Sequence, residues 1–243
     1  MKIIVPSRGR ASNVPTIERL FPDCTWYVSK TEARAYKKAD AGRIVEHPDD
    51  IIGRGKKVQW CLDHAGPDVF VIDDDIEYVW INVGRLGRRT EDPKAIKDII
   101  ESTAICAREA GAKVFAFGQS WDVRKYRPND PIALTGFVKA AIGFIGKLDI
   151  RYDQGNMLRN DVPFSMNILA KHRYFWRDGR FAFVNGMNTN TGGASPERTY
   201  ERDMAECRKI TKEWGKYVRF NEGDTRITVS VRVPRRQHIE LVE

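Results

Sequence analysis

An α/β fold is what the sequence predicts. Short β-branched runs alternate with helical stretches through the first half, and the first run ends in a Pro-Ser-Arg-Gly-Arg loop. A later all-apolar run, Val-Phe-Val-Ile, empties directly into three consecutive aspartates. Residues 2–6 are apolar apart from Lys2 and stop at Pro6, as a buried first strand does when it delivers a loop to a sheet edge. A helix at residues 15–20, a strand at 25–28, a helix at 31–38 and a strand at 43–46 continue the alternation. In the stretch after Gly53, apolar residues at Val58, Cys61 and Leu62 recur at helical spacing, and Gly66-Pro67 ends that helix. Strand 69–72 follows and runs into Asp73, Asp74 and Asp75, after which residues 77–81 read as a further strand.

The second half is punctuated as clearly. Asp92-Pro93 is an N-cap followed by proline at the first helical position, and Ile96, Ile99, Ile100, Thr103 and Ala107 form an apolar stripe ending at Gly111. A strand at 113–117, an apolar stretch at 135–145 and a helix from Asp161 to about Ala170 come next. A strand pair at 174–184, turned at Asp178-Gly179, and a helix capped by Ser195-Pro196 and running to Trp214 complete the reading. With no repeat, low-complexity tract or linker, residues 1–243 read as a single domain.

Composition limits the classes. The chain has 42% hydrophobic and 30% charged residues, which excludes whole-chain disorder. No run approaches the roughly 18 apolar residues of a membrane span, and no signal-peptide core follows Met1, so a cytoplasmic protein is expected. The 41 Lys+Arg against 33 Asp+Glu leave a net charge of +8, which favours polyanionic partners. Cys24, Cys61, Cys106 and Cys207 show no zinc-ligand spacing and read as buried, reduced thiols.

Three adjacent carboxylates repel one another unless a cation or a proton relieves them. Strand alternation predicts that Asp73 and Asp75 share one face while Asp74 points away. Two carboxylates on one side suit Mg²⁺ or Mn²⁺, which in turn holds a diphosphate; a solvated, helix-capping turn is the alternative. The segment Gly53-Arg-Gly-Lys-Lys57 can present backbone N–H groups and cations to phosphates, although it lacks the spacing of a P-loop.

Joined, MKIIVPSRGR (residues 1–10) and VFVIDDDI (residues 69–76) resemble a GT-A-fold nucleotide-sugar glycosyltransferase with its DxD motif. The resemblance implies a GT-A-like α/β architecture, with a Rossmann-like nucleotide-binding half continuous with a smaller acceptor-binding half. It further implies that Pro6, Ser7, Arg8 and Arg10 line a nucleotide pocket with Lys57, and that Asp73 and Asp74 meet the nucleotide sugar. Asp75 would ligate Mn²⁺ or Mg²⁺, with His238, or less favourably His172, as a further ligand. A later element of that family, an acid opening an apolar helix, is similar to Asn160-Asp161-Val-Pro-Phe-Ser here, with Asn160 in place of the usual first acid. That leaves Asp161 as base for the acceptor hydroxyl, or as a helix cap. The stretch from Thr135-Gly136-Phe137 to Gly143-Phe144 resembles the segment that shapes the sugar and acceptor pocket.

The PSRGR start, VIDDDI, NDVPFSMNIL and Thr191-Gly192-Gly193 ahead of a basic helix are similar to the TET-associated, phage-type glycosyltransferases of hydroxymethylated DNA pyrimidines. That resemblance implies a nucleotide-diphosphate sugar as donor, 5-hydroxymethylcytosine in DNA as acceptor, and the host-cell cytoplasm as location. Arg85, Arg88, Arg89, Arg208 and Lys209 would meet DNA, and Trp121, Tyr126, Phe175 or Trp176 would stack on an everted base. The rival readings are the same fold acting on a polysaccharide, a metal-dependent nuclease, and a non-catalytic DNA-binding module.

Overall fold

The structure is a computed structural model that describes residues 1–82, 86–118, 122, 126–152, 158–186, 199–222 and 227–233. Its frame is one large mixed sheet. The strands are β1 (Lys2–Pro6), β2 (Thr25–Ser29), β3 (Arg43–His47), β4 (Val69–Ile72), β5 (Ile76–Ile81), β6 (Arg88–Thr90), β7 (Val114–Gly118), β8 (Ile132–Ala133), β9 (Ala141–Phe144) and β10 (Trp176–Asn185). They lie in the order β3-β2-β1-β4-β9-β7-β10-β5-β6, with β8 also on β10. Strands β1 to β4 are mutually parallel, and β9 runs against both β4 and β7. A separate hairpin joins β11 (Val218–Glu222) to β12 (Ile227–Val231).

The helices are α1 (Val14–Leu20), α2 (Ala33–Lys38), α3 (Arg54–Ala65), α4 (Pro93–Glu109), α5 (Asp161–His172) and α6 (Tyr200–Trp214). Strand alternation sorts the core into two layers. Ile3, Val5, Phe70 and Ile72 pack with Val14, Ile17, Ile96 and Ile100, the buried residues of α1 and α4. Ile4, Val69 and Val71 pack on the other face with Val58, Val162, Phe164 and Ile210, from α3, α5 and α6. Helix α4 begins as its sequence dictates: the Asp92 carboxylate accepts from the Lys94 amide at 3.0 Å, and Pro93 fills the first turn.

Four expectations are corrected. Residues 176–185 form one strand rather than a hairpin. Asp178, fully buried, accepts from the Arg180 amide at 3.0 Å and its guanidinium at 2.7 Å, which makes Asp178-Gly179 an irregularity within β10. Helix α6 starts at Tyr200, with the Thr199 hydroxyl accepting from the Arg202 amide; Ser195-Pro196 and residues 191–193 lie outside the described residues. Gly143 is a packing residue of β9, since a Cβ there would fall 1.8 Å from the Phe115 ring. Cys106 is exposed on α4, whereas Cys24, Cys61 and Cys207 are buried as expected. Among the described residues no helix is long and apolar enough to cross a membrane.

Candidate functional site

The carboxylates sit where the sheet's connections diverge, at the C-terminal ends of β1 and β4, the position at which open α/β sheets bind ligands. Strand β4 ends at Ile72, so the triplet is a turn and the alternation rule stops applying. The expected division of faces is therefore overturned. Asp74 turns inward, 6% exposed, and is held by Arg10 at 2.6 Å and by the Ser7 hydroxyl. Asp75 shares the same Arg10 at 3.0 Å, and Asp73 instead accepts from Arg54 Nε and Nη2 at 3.0 and 2.9 Å.

The loop after β1 is braced from behind. Ser7 and Tyr36 share a hydrogen bond of 2.6 Å, the Arg10 amide donates to the Tyr36 hydroxyl at 3.2 Å, and the Asn13 side chain donates to the Asp74 carbonyl at 2.9 Å. Lys57, 5% exposed, donates to the Ser7 carbonyl. Burial pulls its ammonium below the usual lysine range. It props the loop, and the cation that reaches the carboxylates from the Gly53–Lys57 segment is Arg54. Pro6 and Arg8 are both half-buried in this loop. Nearby, Glu32 Oε2 and His47 Nε2 are buried without hydrogen-bond partners among the described residues, and both side chains act electrostatically on or with Lys57.

Three acids against two arginines leave the cluster one negative charge in excess. Burial, then the charges of Asp73 and Asp74, lift Asp75 to about 7, with Arg10 pulling the other way. Its Oδ1 is buried with no hydrogen-bond partner of good geometry among the described residues, while the Asn185 side chain lies close enough to hold its proton affinity down. Asp74 is also raised by burial, against Arg10 and Ser7.

Asp161 opens α5 as its first residue; Asn160 holds the cap position without a side-chain cap bond. Asp161 is joined to the cluster through Arg54. Burial opposes the Arg54 charge, but Asp73, Tyr152 and Asp161 outweigh it and hold the guanidinium charged. Asp161 is itself raised by burial, with Arg54, Lys139 and Arg159 opposing. Tyr152 stacks on Phe164 with ring centroids 3.8 Å apart, and its buried hydroxyl, beside Arg54, has no hydrogen-bond partner of good geometry among the described residues. From behind, α6 fixes the segment that carries Asp161. Glu206 accepts from the Leu158 and Arg159 amides at 2.9 and 3.0 Å, and Asp203 takes Arg159 at 2.6 Å on both oxygens.

The fit to a divalent cation is partial. Asp75 Oδ1 is a buried hard donor on the same turn as Asp73, which suits Mg²⁺ or Mn²⁺ completed by water and phosphate oxygens. Among the described residues, no three His, Cys, Asp or Glu side chains are grouped so as to hold a metal ion. His238 lies outside the described residues, and His172 pairs with Asp149 at 2.8 Å, away from the carboxylates.

The basic residues are not gathered at this edge. Arg88 and Arg89 lie on the border strand β6, where Arg89 pairs with Glu91 and stacks on Tyr78 at 4.3 Å. Arg208 and Lys209 are exposed on α6. Arg85 and Trp121 lie outside the described residues. Phe175 is fully buried and unable to meet a base, whereas Tyr126 and Trp176 are half-buried. Arg54 falls in the basic segment that the sequence marks for phosphates, whereas Tyr152 and Asn185, which lies against Asp75 at the end of β10, are site residues that sequence reasoning did not single out.

No family model and no curated protein matches this sequence. Among solved structures, the chain is similar to S. aureus TarS 1–349 (15% identity, TM-score 0.42) over 87% of this chain and 66% of that one. It is similar to mannose-1-phosphate geranyltransferase from Thermus thermophilus (18%, 0.31; 74% and 56%). It is also similar to UDP-glucose pyrophosphorylase complexed with UDP-glucose (9%, 0.40; 86% and 98%). The chain thus spans less than two thirds of the first two. At these identities and TM-scores the likeness assigns no activity to it.

Proposed function

We propose that this protein is a glycosyltransferase that moves a sugar from a nucleotide-diphosphate donor to a hydroxyl, with 5-hydroxymethylcytosine in DNA as the acceptor. The observation that carries the reading is Arg54, which ion-pairs with Asp73 on the carboxylate turn and acts electrostatically on Asp161 at the start of α5. A donor-binding acid and an acceptor-side acid thereby share one cation. Ser7 and Arg10 would border the nucleotide, with Asp73 toward ribose or sugar. Asp75 Oδ1 would hold Mn²⁺ or Mg²⁺, which when bound offsets the charge of the departing diphosphate.

Asp161 is suited to the base role because burial raises its proton affinity, and a carboxylate accepts better as its pKa approaches the working pH. It takes the proton of the acceptor hydroxyl as that oxygen bonds to the anomeric carbon and the carbon–oxygen bond to the diphosphate breaks, inverting the anomeric configuration. The lean to DNA is supported by the net charge of +8 and by the exposed basic positions on β6 and α6.

Mass spectrometry of plain and hydroxymethylated duplex DNA, incubated with a panel of nucleotide sugars and Mn²⁺, tests the proposal. One sugar mass per hydroxymethylcytosine is expected. Transfer to a polysaccharide with no mass change on DNA would keep the chemistry and discard the acceptor. Strand cleavage without any donor would replace it with a nuclease.

A further inference from the structure

Arg177 is a half-buried cation on β10. It lies level with Ala116 of β7, which aligns through Ile142 with Val71, two residues short of Asp73. Its side chain therefore shares the sheet face of Ile4, Val71 and Ala116, the face covered by α5. Among the described residues, no carboxylate pairs with its guanidinium. The adjacent acid cannot help, because Asp178 points to the opposite face and is spent on Arg180. Burial pulls Arg177 below the usual arginine range, with no carboxylate opposing the shift.

The space around Arg177 is shaped for it. Gly136 lies against the guanidinium with φ of 112°, and a Cβ at that position would fall 2.9 Å from Nη1. The strip from Gly136 leads to Lys139, whose charge acts on Asp161. A desolvated guanidinium is costly unless an anion meets it, and its planar fork matches a phosphate oxyanion.

We propose that Arg177 is an anion-binding residue on the acceptor side, taking a backbone phosphate of the strand whose hydroxymethyl group reaches Asp161. The ligand identity rests on the DNA-acceptor reading; the anion site itself does not.

Two measurements on the full chain test it. In calorimetry, 5-hydroxymethyldeoxycytidine monophosphate should bind wild type at least about 10-fold more tightly than the unphosphorylated nucleoside, and Arg177→Met should erase that difference by weakening only the phosphorylated probe. Equal affinity for the two probes in wild type, or an equal loss for both in the variant, would overturn the phosphate contact. In NMR, inorganic phosphate should shift the Arg177 side-chain Nε–H resonance, identified by its absence from Arg177→Lys. A shift without any nucleotide preference would retain the anion site and sink the DNA assignment. The absence of a shift would overturn the site itself.

Discussion

The turn at Asp73–Asp75 and the junction of α5 with α6 both bury acids against arginines, yet they are balanced differently. At the junction, Asp203 and Arg159 pair one to one, both oxygens engaged at 2.6 Å, and Glu206 caps two amides beside them. At the turn, three acids face two arginines, one carboxylate oxygen lacks a hydrogen bond of good geometry among the described residues, and Asp75 is lifted to about 7. A balanced buried pair joins two elements and resists change in either partner. A surplus of buried acid is destabilising until an added cation or proton relieves it. On the proposed reading, the turn is the place for a ligand and the junction is the support that aims Asp161.

The largest expected effect lies where support meets chemistry. Asp161→Asn should lower transfer by roughly 10²–10⁴-fold, measured as kcat, without lowering Tm, because it removes a charge disfavoured by burial and Asn160 already occupies the cap position. Full transfer by this variant would reduce Asp161 to a helix-start residue.

Breaking the balanced pair comes next. Arg159→Met leaves Asp203 buried and unpaired, and denaturant unfolding should show a loss of about 3–5 kcal/mol. A loss under about 1 kcal/mol would show that water takes over the junction and would remove the contrast.

The unbalanced cluster should respond in the opposite sense. The folded state holds the Asp75 proton up to about pH 7, whereas the unfolded chain releases it near pH 4, so this group's stabilisation is complete below about pH 4 and is lost as pH rises through 7. Asp75→Asn should therefore raise Tm relative to wild type at pH 8, and the advantage should close as the pH is lowered toward 4. A Tm that falls at pH 8 would make Asp75 structural.

Much of this contrast was beyond the reach of the sequence. Strands β1 and β4 and helix α4 were legible because their own residues specify them: two apolar runs stopped by Pro6 and Asp73, and an Asp-Pro cap ahead of an apolar stripe. The position of the acidic triplet was legible for the same reason. Its internal roles were not, because β4 ends one residue before Asp73 and the partners arrive from distant segments: Arg10 from the first loop and Arg54 from the start of α3. Tyr152 is apolar in its packing and polar only at its tip, so nothing local distinguishes it from a core tyrosine. Asp178-Gly179 carries a hairpin signal that Arg180 cancels by occupying the Asp178 carboxylate.

The smallest expected effect is at the exposed cations. Charge reversal at Arg208 and Lys209 should flatten the log–log salt dependence of duplex DNA binding by about 0.9 for each phosphate no longer neutralised. An unchanged slope would move the acceptor surface away from α6.

On the proposed function, the acid surplus at Asp73–Asp75 holds a donor diphosphate through a divalent cation. Calorimetric titration of nucleoside diphosphates into wild type and Asp75→Asn, each with Mn²⁺ and with excess chelator, tests it most directly. Binding that requires Mn²⁺ in wild type and is lost in a folded Asp75→Asn variant is the predicted result. Equal binding by both proteins, with or without the metal, would contradict it.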